Sequence, residues 1–300
     1  VDGERHARHR KHGLGRVDGQ RAQARSLASD EEDGFGHATQ GATSHIAITD
    51  YRATVVDIWT ALQARVRANG GAPLVTYVDP ATGERTELSA TSTANAAAKI
   101  ANALRDEFAL LPGDIVVLDL PPHWQRSTWC AGAWTAGCVV MPQSAPDAHV
   151  AALVVTTTER AAVWSTGAAR VVAVSMHPFG LPITEPLPHD VDDATLLVRQ
   201  QPDAYLFDPP TETLPALQVE GRAWTQGELM TAASDLGVAC GLAPGGRLLL
   251  LEDAGLAEDW LGGLPVPLAL SASVVIMRGS AGADRVAEQE RTTALLPQRD

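Results

Sequence analysis

Residues 206–217, Leu-Phe-Asp-Pro-Pro-Thr-Glu-Thr-Leu-Pro-Ala-Leu, come closest to a loop with chemistry to perform. A backbone cradle for phosphate needs free N–H groups, glycines that let the chain close around the oxygens, and usually a lysine for their charge. This stretch has no glycine and no lysine. Pro209, Pro210 and Pro215 remove donors or stiffen the chain, and Asp208 and Glu212 bring negative charge against a polyanion. His123 follows a double proline at the end of an apolar run, where open α/β sheets place ligand contacts. No Ser, Cys or acid at a recognised spacing accompanies it, so it is read as a capping or surface histidine. His177 and His189, in proline-rich connections, are read as solvated. His6, His9 and His12 recur at a spacing of three, but Gly13 and Gly15 follow at once, which favours a solvated tail over a metal site. No G-x-S-x-G, H-E-x-x-H or Walker pattern occurs, so no catalytic residue and no metal ligand are assigned.

The frame around these residues is that of a globular protein: 300 residues, 45% hydrophobic and 20% charged, are enough to bury sizeable cores. A formal net charge of -13 argues against nucleic acid or an anionic membrane surface as the main partner, because both need a basic face. No apolar run reaches the roughly 18 to 20 residues of a membrane span, and the amino terminus lacks the apolar stretch of a secretory signal. Cys130, Cys138 and Cys240 have no metal-type spacing and fall in apolar or Ala/Gly-rich runs, which reads as buried thiols in a reducing cytoplasm. Residues 1–44 carry early arginines, then Asp30-Glu31-Glu32-Asp33, with no apolar periodicity, and are expected to be a disordered polar tail. The chain begins with Val, which fits a non-AUG start or upstream sequence not normally translated.

Order is expected from about Thr54. Val55, Ile58, Trp59, Leu62 and Val66 recur at helical spacing until Asn69-Gly70-Gly71. Residues 73–78 and 85–88 read as a hairpin around the turn at 79–83, and Ser89 or Thr91 as the cap of an Ala-rich helix through Ala94, Ala97, Ala98, Ala101, Leu104 and Phe108. Residues 115–120 are apolar enough to be buried on both faces, which predicts a central parallel strand. A helix over 124–135 and a strand over 137–142 complete a βαβ unit. Strands at 152–155 and 170–174 surround a short helix, and residues 178–193 read as a surface connection. A second round then follows: a helix from Trp224 to about Ala239, a strand over 247–251, a Pro-interrupted helix over 260–270 and a strand over 273–277. The order of parts repeats that of residues 88–140, which hints at an internal duplication with subdomains of about 52–200 and 201–300. Trp59, Trp124, Trp134 and Trp224 fall on expected helices and read as packing residues.

Leu-Ser-Ala-Thr with its Ala-rich helix, Leu-Leu-Pro-Gly-Asp-Ile-Val-Val-Leu, and Gly-Ala-Trp-Thr-Ala-Gly-Cys-Val-Val-Met-Pro over 132–142 resemble the amino-terminal part of the acyl-adenylate-forming superfamily. That superfamily includes acyl-CoA synthetases, peptide-synthetase adenylation domains and luciferases. The resemblance continues through 203–207, 224–233, 263–277 and 290–297, covering roughly residues 50–300. It implies an α/β fold of stacked βα units with mainly parallel sheets, here a domain over 45–300. It also implies that a strand over 204–207 runs into the loop that wraps ATP phosphates, T-S-G-T-T-G-x-P-K-G. Asp208 begins the corresponding stretch, in which Thr211 and Pro215 match. Pro210, Thr213 and Leu217 stand where the pattern has glycines, Glu212 lies between them, and Ala216 stands for the lysine. The chain also ends before the regions that in the superfamily bind adenine and ribose and carry the catalytic lysine. A narrower resemblance is to short bacterial proteins of unassigned function that look like this half alone.

The expectation is a non-catalytic relative of AMP-dependent synthetases/ligases that uses no cofactor and binds a protein partner or a small acyl-like ligand in the cytoplasm. The alternative is an acyl-activating ligase, with ATP and Mg²⁺, completed by a partner chain. Buried parallel strands serve stability as well as catalysis, so the frame alone does not argue for activity.

Overall fold

The structure is a computed structural model and describes residues 56–296 apart from 146–147, 166, 168 and 253–255. The tail, its three histidines, Thr54 and Val55 lie outside the described residues. Helix α1 (Ile58–Asn69) starts at Asp57, whose carboxylate accepts from Thr60 N–H at 2.8 Å. Then come β1 (Pro73–Asp79), β2 (Glu84–Ser89) and α2 (Ala90–Asp106), with Ser89 Oγ capping α2 through Ser92 N–H. Next are β3 (Ile115–Asp119), α3 (Trp124–Thr135), β4 (Val139–Pro142), β5 (Leu153–Thr157), α4 (Ala161–Trp164) and β6 (Arg170–Val174). Strand β7 (Val191–Asp193), α5 (Ala194–Arg199), β8 (Pro215–Val219), β9 (Arg222–Thr225) and α6 (Gln226–Ala239) follow. The remaining elements are β10 (Arg247–Leu251), α7 (Leu256–Gly262), α8 (Pro265–Ala269), β11 (Ser273–Met277), α9 (Ala283–Glu290) and β12 (Ala294–Leu296).

Two sheets form, in the orders β7-β6-β5-β3-β4-β8-β9 and β12-β10-β11-β1-β2. Pairing is parallel except within the hairpins β1–β2 and β8–β9. The alternation of side chains along a strand decides the layering. Val116 and Leu118 of β3, Val172 and Val174 of β6, Leu248 and Leu250 of β10, and Val274 and Ile276 of β11 all join one cluster with α1, α2, α3, α6 and α8. The alternate residues face outward: Val117, Met141 and Val154 gather with Ala161 on one sheet, and Leu249, Val275 and Met277 with Val286 of α9 on the other. A helical layer thus lies between two sheets, which explains why strands over 115–119 and 247–251 read as apolar runs without alternation.

Each sheet draws strands from both sides of residue 200. The run hairpin, α2, β3, α3, β4 is matched by hairpin, α6, β10, α7 and α8, β11, and each hairpin borders the other run's sheet: β1 lies beside β11 and β8 beside β4.

Several expectations need correction. Residues 190–193 are not only connection, because Val191–Asp193 pairs parallel with β6, and Asp193 fixes the next helix by accepting from Thr195 N–H at 2.7 Å. Residues 204–207 form no strand: Asn102 of α2 donates to the Pro202 and Ala204 carbonyls, at 3.0 and 3.1 Å, and prolines flank the segment. Trp224 belongs to β9, and the helix begins at Gln226 behind a capping box of Thr225 and Glu228. The hairpin β8–β9 and helix α9 had not been anticipated.

Candidate functional site

The stretch singled out from the sequence leads from an irregular segment into β8. Asp208, Thr211, Glu212, Thr213 and Pro215 are exposed, Pro210 is buried, and Ala216 and Leu217 sit in β8 with their side chains in the core. Its backbone takes part in bonds within the fold. Leu214 N–H donates to Thr211 O at 3.1 Å, Gly227 N–H to Glu212 O at 2.8 Å, and Trp134 Nε1 to Ala216 O at 2.7 Å. The structure does not gather these residues around one space. Asp208 and Pro210 border a depression with Arg105 and Tyr205, whereas Glu212 and Thr213 border another with Arg222 and Asp235.

The other end of the sheets is different. Tyr77 of β1, Asp119 of β3, Thr157 of β5, and Glu252 and Arg278 just beyond β10 and β11 line a cavity of about 480 Å³, together with Glu84, His123 and Arg160. These are the carboxyl ends of parallel strands from both sheets, where α/β folds place ligands. Asp119 Oδ2 accepts from Arg160 Nε (2.6 Å), Trp164 Nε1 (2.7 Å) and Thr156 Oγ1 (3.0 Å), and Arg160 also reaches Gln143 Oε1. Across the cavity Arg278 lies 3.7 Å from Asp79, which is held ionised: hydrogen bonds from Ala81 and Thr82 and the Arg278 charge outweigh the desolvation that opposes it.

His123 caps α3, as its sequence context predicts, but it is buried, not at the surface: it is 2% exposed, and its Nδ1 accepts from Gln125 N–H at 3.2 Å. An accepting Nδ1 puts the ring proton on Nε2, 3.5 Å from Glu84 Oε1. Burial, helped by the Arg278 and Arg126 charges, pushes the His123 pKa down to about 3, so the ring is neutral and gives Glu84 no counter-charge. Glu84 is raised above the usual carboxylate range, first by desolvation and then by Asp79. Tyr77 packs edge-on against His123 with ring centroids 4.2 Å apart, and burial with the Asp79 and Glu84 charges pushes its phenol up to about 12. Sequence reasoning missed Glu84, Asp119, Arg160, Glu252 and Arg278. A signal was present: the apolar strands end on or are followed by charged residues, Asp79, Asp119, Glu252 and Arg278.

A third space, of about 250 Å³, lies under the connection after β6. Ile100, Trp124, Trp129, Val174, Phe179 and Val198 give it apolar walls. Its ionisable lining groups among the described residues are two cations, Lys99 and Arg199. Lys99 Nζ donates to Gln201 O, and Arg199 to Gly180 O at 3.0 Å, tying the connection down. The indole N–H of Trp124 is buried with no hydrogen-bond partner among the described residues.

The fold of paired βα runs with exchanged hairpins around a helical layer is shared with part of several larger solved structures. An acyl-CoA synthetase from Brucella canis superposes with a TM-score of 0.66 over 80% of this chain and 47% of that one, at 17% identity. An acetoacetyl-CoA synthetase from Streptomyces lividans gives 0.64, over 80% and 42%, also at 17% identity. A fatty acyl-adenylate ligase from L. pneumophila gives 0.59, over 79% and 43%, at 10% identity. At these identities the likeness is one of fold, and the chain spans less than half the length of each of these proteins. No family model matches the sequence. A TIGR03089 family protein of Mycobacterium tuberculosis is 37% identical over 220 residues, 71% of this chain and 86% of that relative. The chain belongs to the TIGR03089 family. Among the described residues no helix is long and apolar enough to cross a membrane, and no group of three or more His, Cys, Asp or Glu could hold a metal ion.

Proposed function

We propose that this chain is a non-catalytic relative of the AMP-dependent synthetases/ligases that binds a small acyl-like acid. The observation that carries the reading is the apolar pocket beneath the connection after β6, whose ionisable lining groups are Lys99 and Arg199 in a chain of net charge -13. Apolar walls with a few convergent polar groups favour a small ligand, and the two cations with the unpaired Trp124 N–H favour one carrying a carboxylate or carbonyl. Against adenylate chemistry stand the divided stretch at 208–216, its acids, and Ala216 in place of a cation. Residues 45–300 are the working unit in this reading, with residues 1–44 as a tail. The unpaired thiols fit a reducing cytoplasm, where burial pushes Cys130 and Cys138 up to about 12 and leaves them inert.

Calorimetry with short-chain and aryl carboxylates, and with ATP and Mg²⁺, tests it. The acids should bind with Kd below about a millimolar and Arg199→Gln should weaken them severalfold, whereas ATP should bind no better than millimolar, about -4 kcal/mol. Pyrophosphate exchange into ATP should stay at the blank with every acid. Micromolar ATP binding, or exchange above the blank, would establish a ligase completed by a partner chain instead.

A further inference from the structure

The apolar pocket has walls of two kinds. Ile100, Trp129, Val174 and Val198 come from α2, α3, β6 and α5, where regular backbone bonding fixes them. The remaining side is Phe179 and Gly180, from the connection after β6. Among the described residues no backbone hydrogen bond joins residues 177–182 to a strand or helix. Two side chains hold the segment instead: Thr86 Oγ1 of β2 donates to Pro178 O at 3.3 Å, and Arg199 of α5 to Gly180 O at 3.0 Å. Inside it, Gly180 N–H donates to His177 O at 2.7 Å and Phe179 N–H to His177 Nδ1 at 3.1 Å. The segment is therefore a closed turn that can move as a unit on few attachments.

Phe179 is the wall residue that stays in water. It borders the pocket yet is 83% exposed, whereas Trp129 and Val174 are 2% exposed each. An aromatic ring at the mouth of an apolar space gains burial once that space holds something apolar to cover. Gly180 supplies the pivot. Its φ of 55° lies in the left-handed region that glycine adopts without strain, and it rests on the Trp124 ring, which a methyl group there would meet at 3.4 Å. Pro178 and Pro182 stiffen the chain on either side, which confines rotation to the residues between. The Gly180 carbonyl occupies one of the five N–H donors of Arg199, so the guanidinium can hold both the turn and a carboxylate.

We infer that residues 177–182 form a lid over the acyl pocket, open in this structure and closed by the ligand. With an acid bound, the turn pivots at Gly180, whose carbonyl stays on Arg199, and Phe179 moves from water onto the apolar part of the ligand. The inference rests on the acyl-binding reading above and adds to it the means by which the site admits and retains its ligand.

Chymotrypsin cuts after exposed aromatic residues, so timed digestion of the full chain, read by mass spectrometry, reports the position of Phe179. The probe is whichever short-chain or aryl carboxylate binds most tightly in the calorimetry. The free protein should be cut after Phe179, and saturating acid should slow that cut by about tenfold or more. Cuts within residues 205–207, where Leu206 is 88% exposed, should keep their rate. Phe179→Ala should weaken the acid by about fivefold or more while moving the thermal midpoint by no more than about 2 °C, because a side chain in water contributes little to the free fold. A Phe179 bond that resists the free protein's digestion, or is cut equally fast with acid bound, would overturn the lid. So would slowing of both sites alike, or wild-type affinity in Phe179→Ala. In each of these cases acid binding by calorimetry leaves the acyl reading standing, whereas the absence of saturable binding by any acid removes both.

Discussion

Residue by residue, the site owes its character to burial more than to residue type. His123 is the clearest case: of the two expectations, a cap or a surface histidine, the first holds and the second fails, because no local pattern could announce that β1 and β2 would close over it. The cap follows from a position after Pro121-Pro122 at a helix start; the burial follows from Tyr77 and Glu84, about forty residues away in sequence. The consequence is a pH dependence of definite sign. With a folded pKa near 3 against about 6.5 when unfolded, His123 contributes nothing above pH 6.5, where both states are neutral. Between about pH 6.5 and 3 the unfolded chain takes up a proton that the native state refuses, so stability falls, at up to roughly 1.4 kcal/mol per pH unit. The raised Glu84 works the other way, holding a proton in the native state that the unfolded chain gives up. Urea titrations at pH 7, 6, 5 and 4 should therefore show a shallower loss for His123→Asn, which keeps a capping side chain, than for the wild type. Parallel slopes in the two proteins would place a charged imidazole in the native state.

Elements were legible where one local signal decides them. The apolar runs at 115–119, 170–174, 247–251 and 273–277 are strands, residues 124–135 form a helix with those bounds, and Ser89 is the cap. The parallel frame read from residues 73–142 as resembling the adenylate-forming superfamily is the one found. What could not be read depended on partners distant in sequence. Val191–Asp193 is a strand only because β6 offers an edge, and residues 204–207, strand-like in text, give their carbonyls to Asn102 instead. The hairpin β8–β9 did have a local mark, Glu220-Gly221, both at positive φ as a two-residue hairpin turn requires. Close approach of helices was equally hidden. Gly132 of α3 lies so near α2 that a methyl group would collide with Ile100, including its Cβ, whereas a methyl at Gly237 of α6 would meet the mobile ends of Leu270 and Val266. Overpacking costs about 1 to 3 kcal/mol, against about 1 kcal/mol gained in helix propensity. Gly132→Ala should thus be net destabilising in urea, and Gly237→Ala close to neutral. Equal effects at the two sites would mean that α2 can shift away from α3.

For the whole molecule, the exchange of hairpins determines what can fold alone. A duplicated text split near residue 200 invites a picture of two separable halves, yet β1–β2 completes the sheet of β10, β11 and β12, and β8–β9 completes that of β3 to β7. Gln226 ties the exchange together. It is fully buried at the start of α6, accepts from Ile58 N–H at 3.1 Å and donates to Trp134 O at 2.9 Å, so the first turn of α1 and the last turn of α3 both depend on a residue from the second run. A fragment of residues 50–200 would lose these partners, uncover the β4 edge and leave β1–β2 as an isolated hairpin, marginal in water by itself. A fragment of residues 201–300 would expose Leu229, Met230 and Ala233 of α6 and the edge of β11. Neither fragment, produced separately, should show a cooperative thermal transition by circular dichroism, while residues 50–300 should show a single one. A cooperative melt from either half alone would mean that its sheet closes without the exchanged hairpin, and the cavity between the two sheets would then be a junction of separate domains instead of a product of one fold.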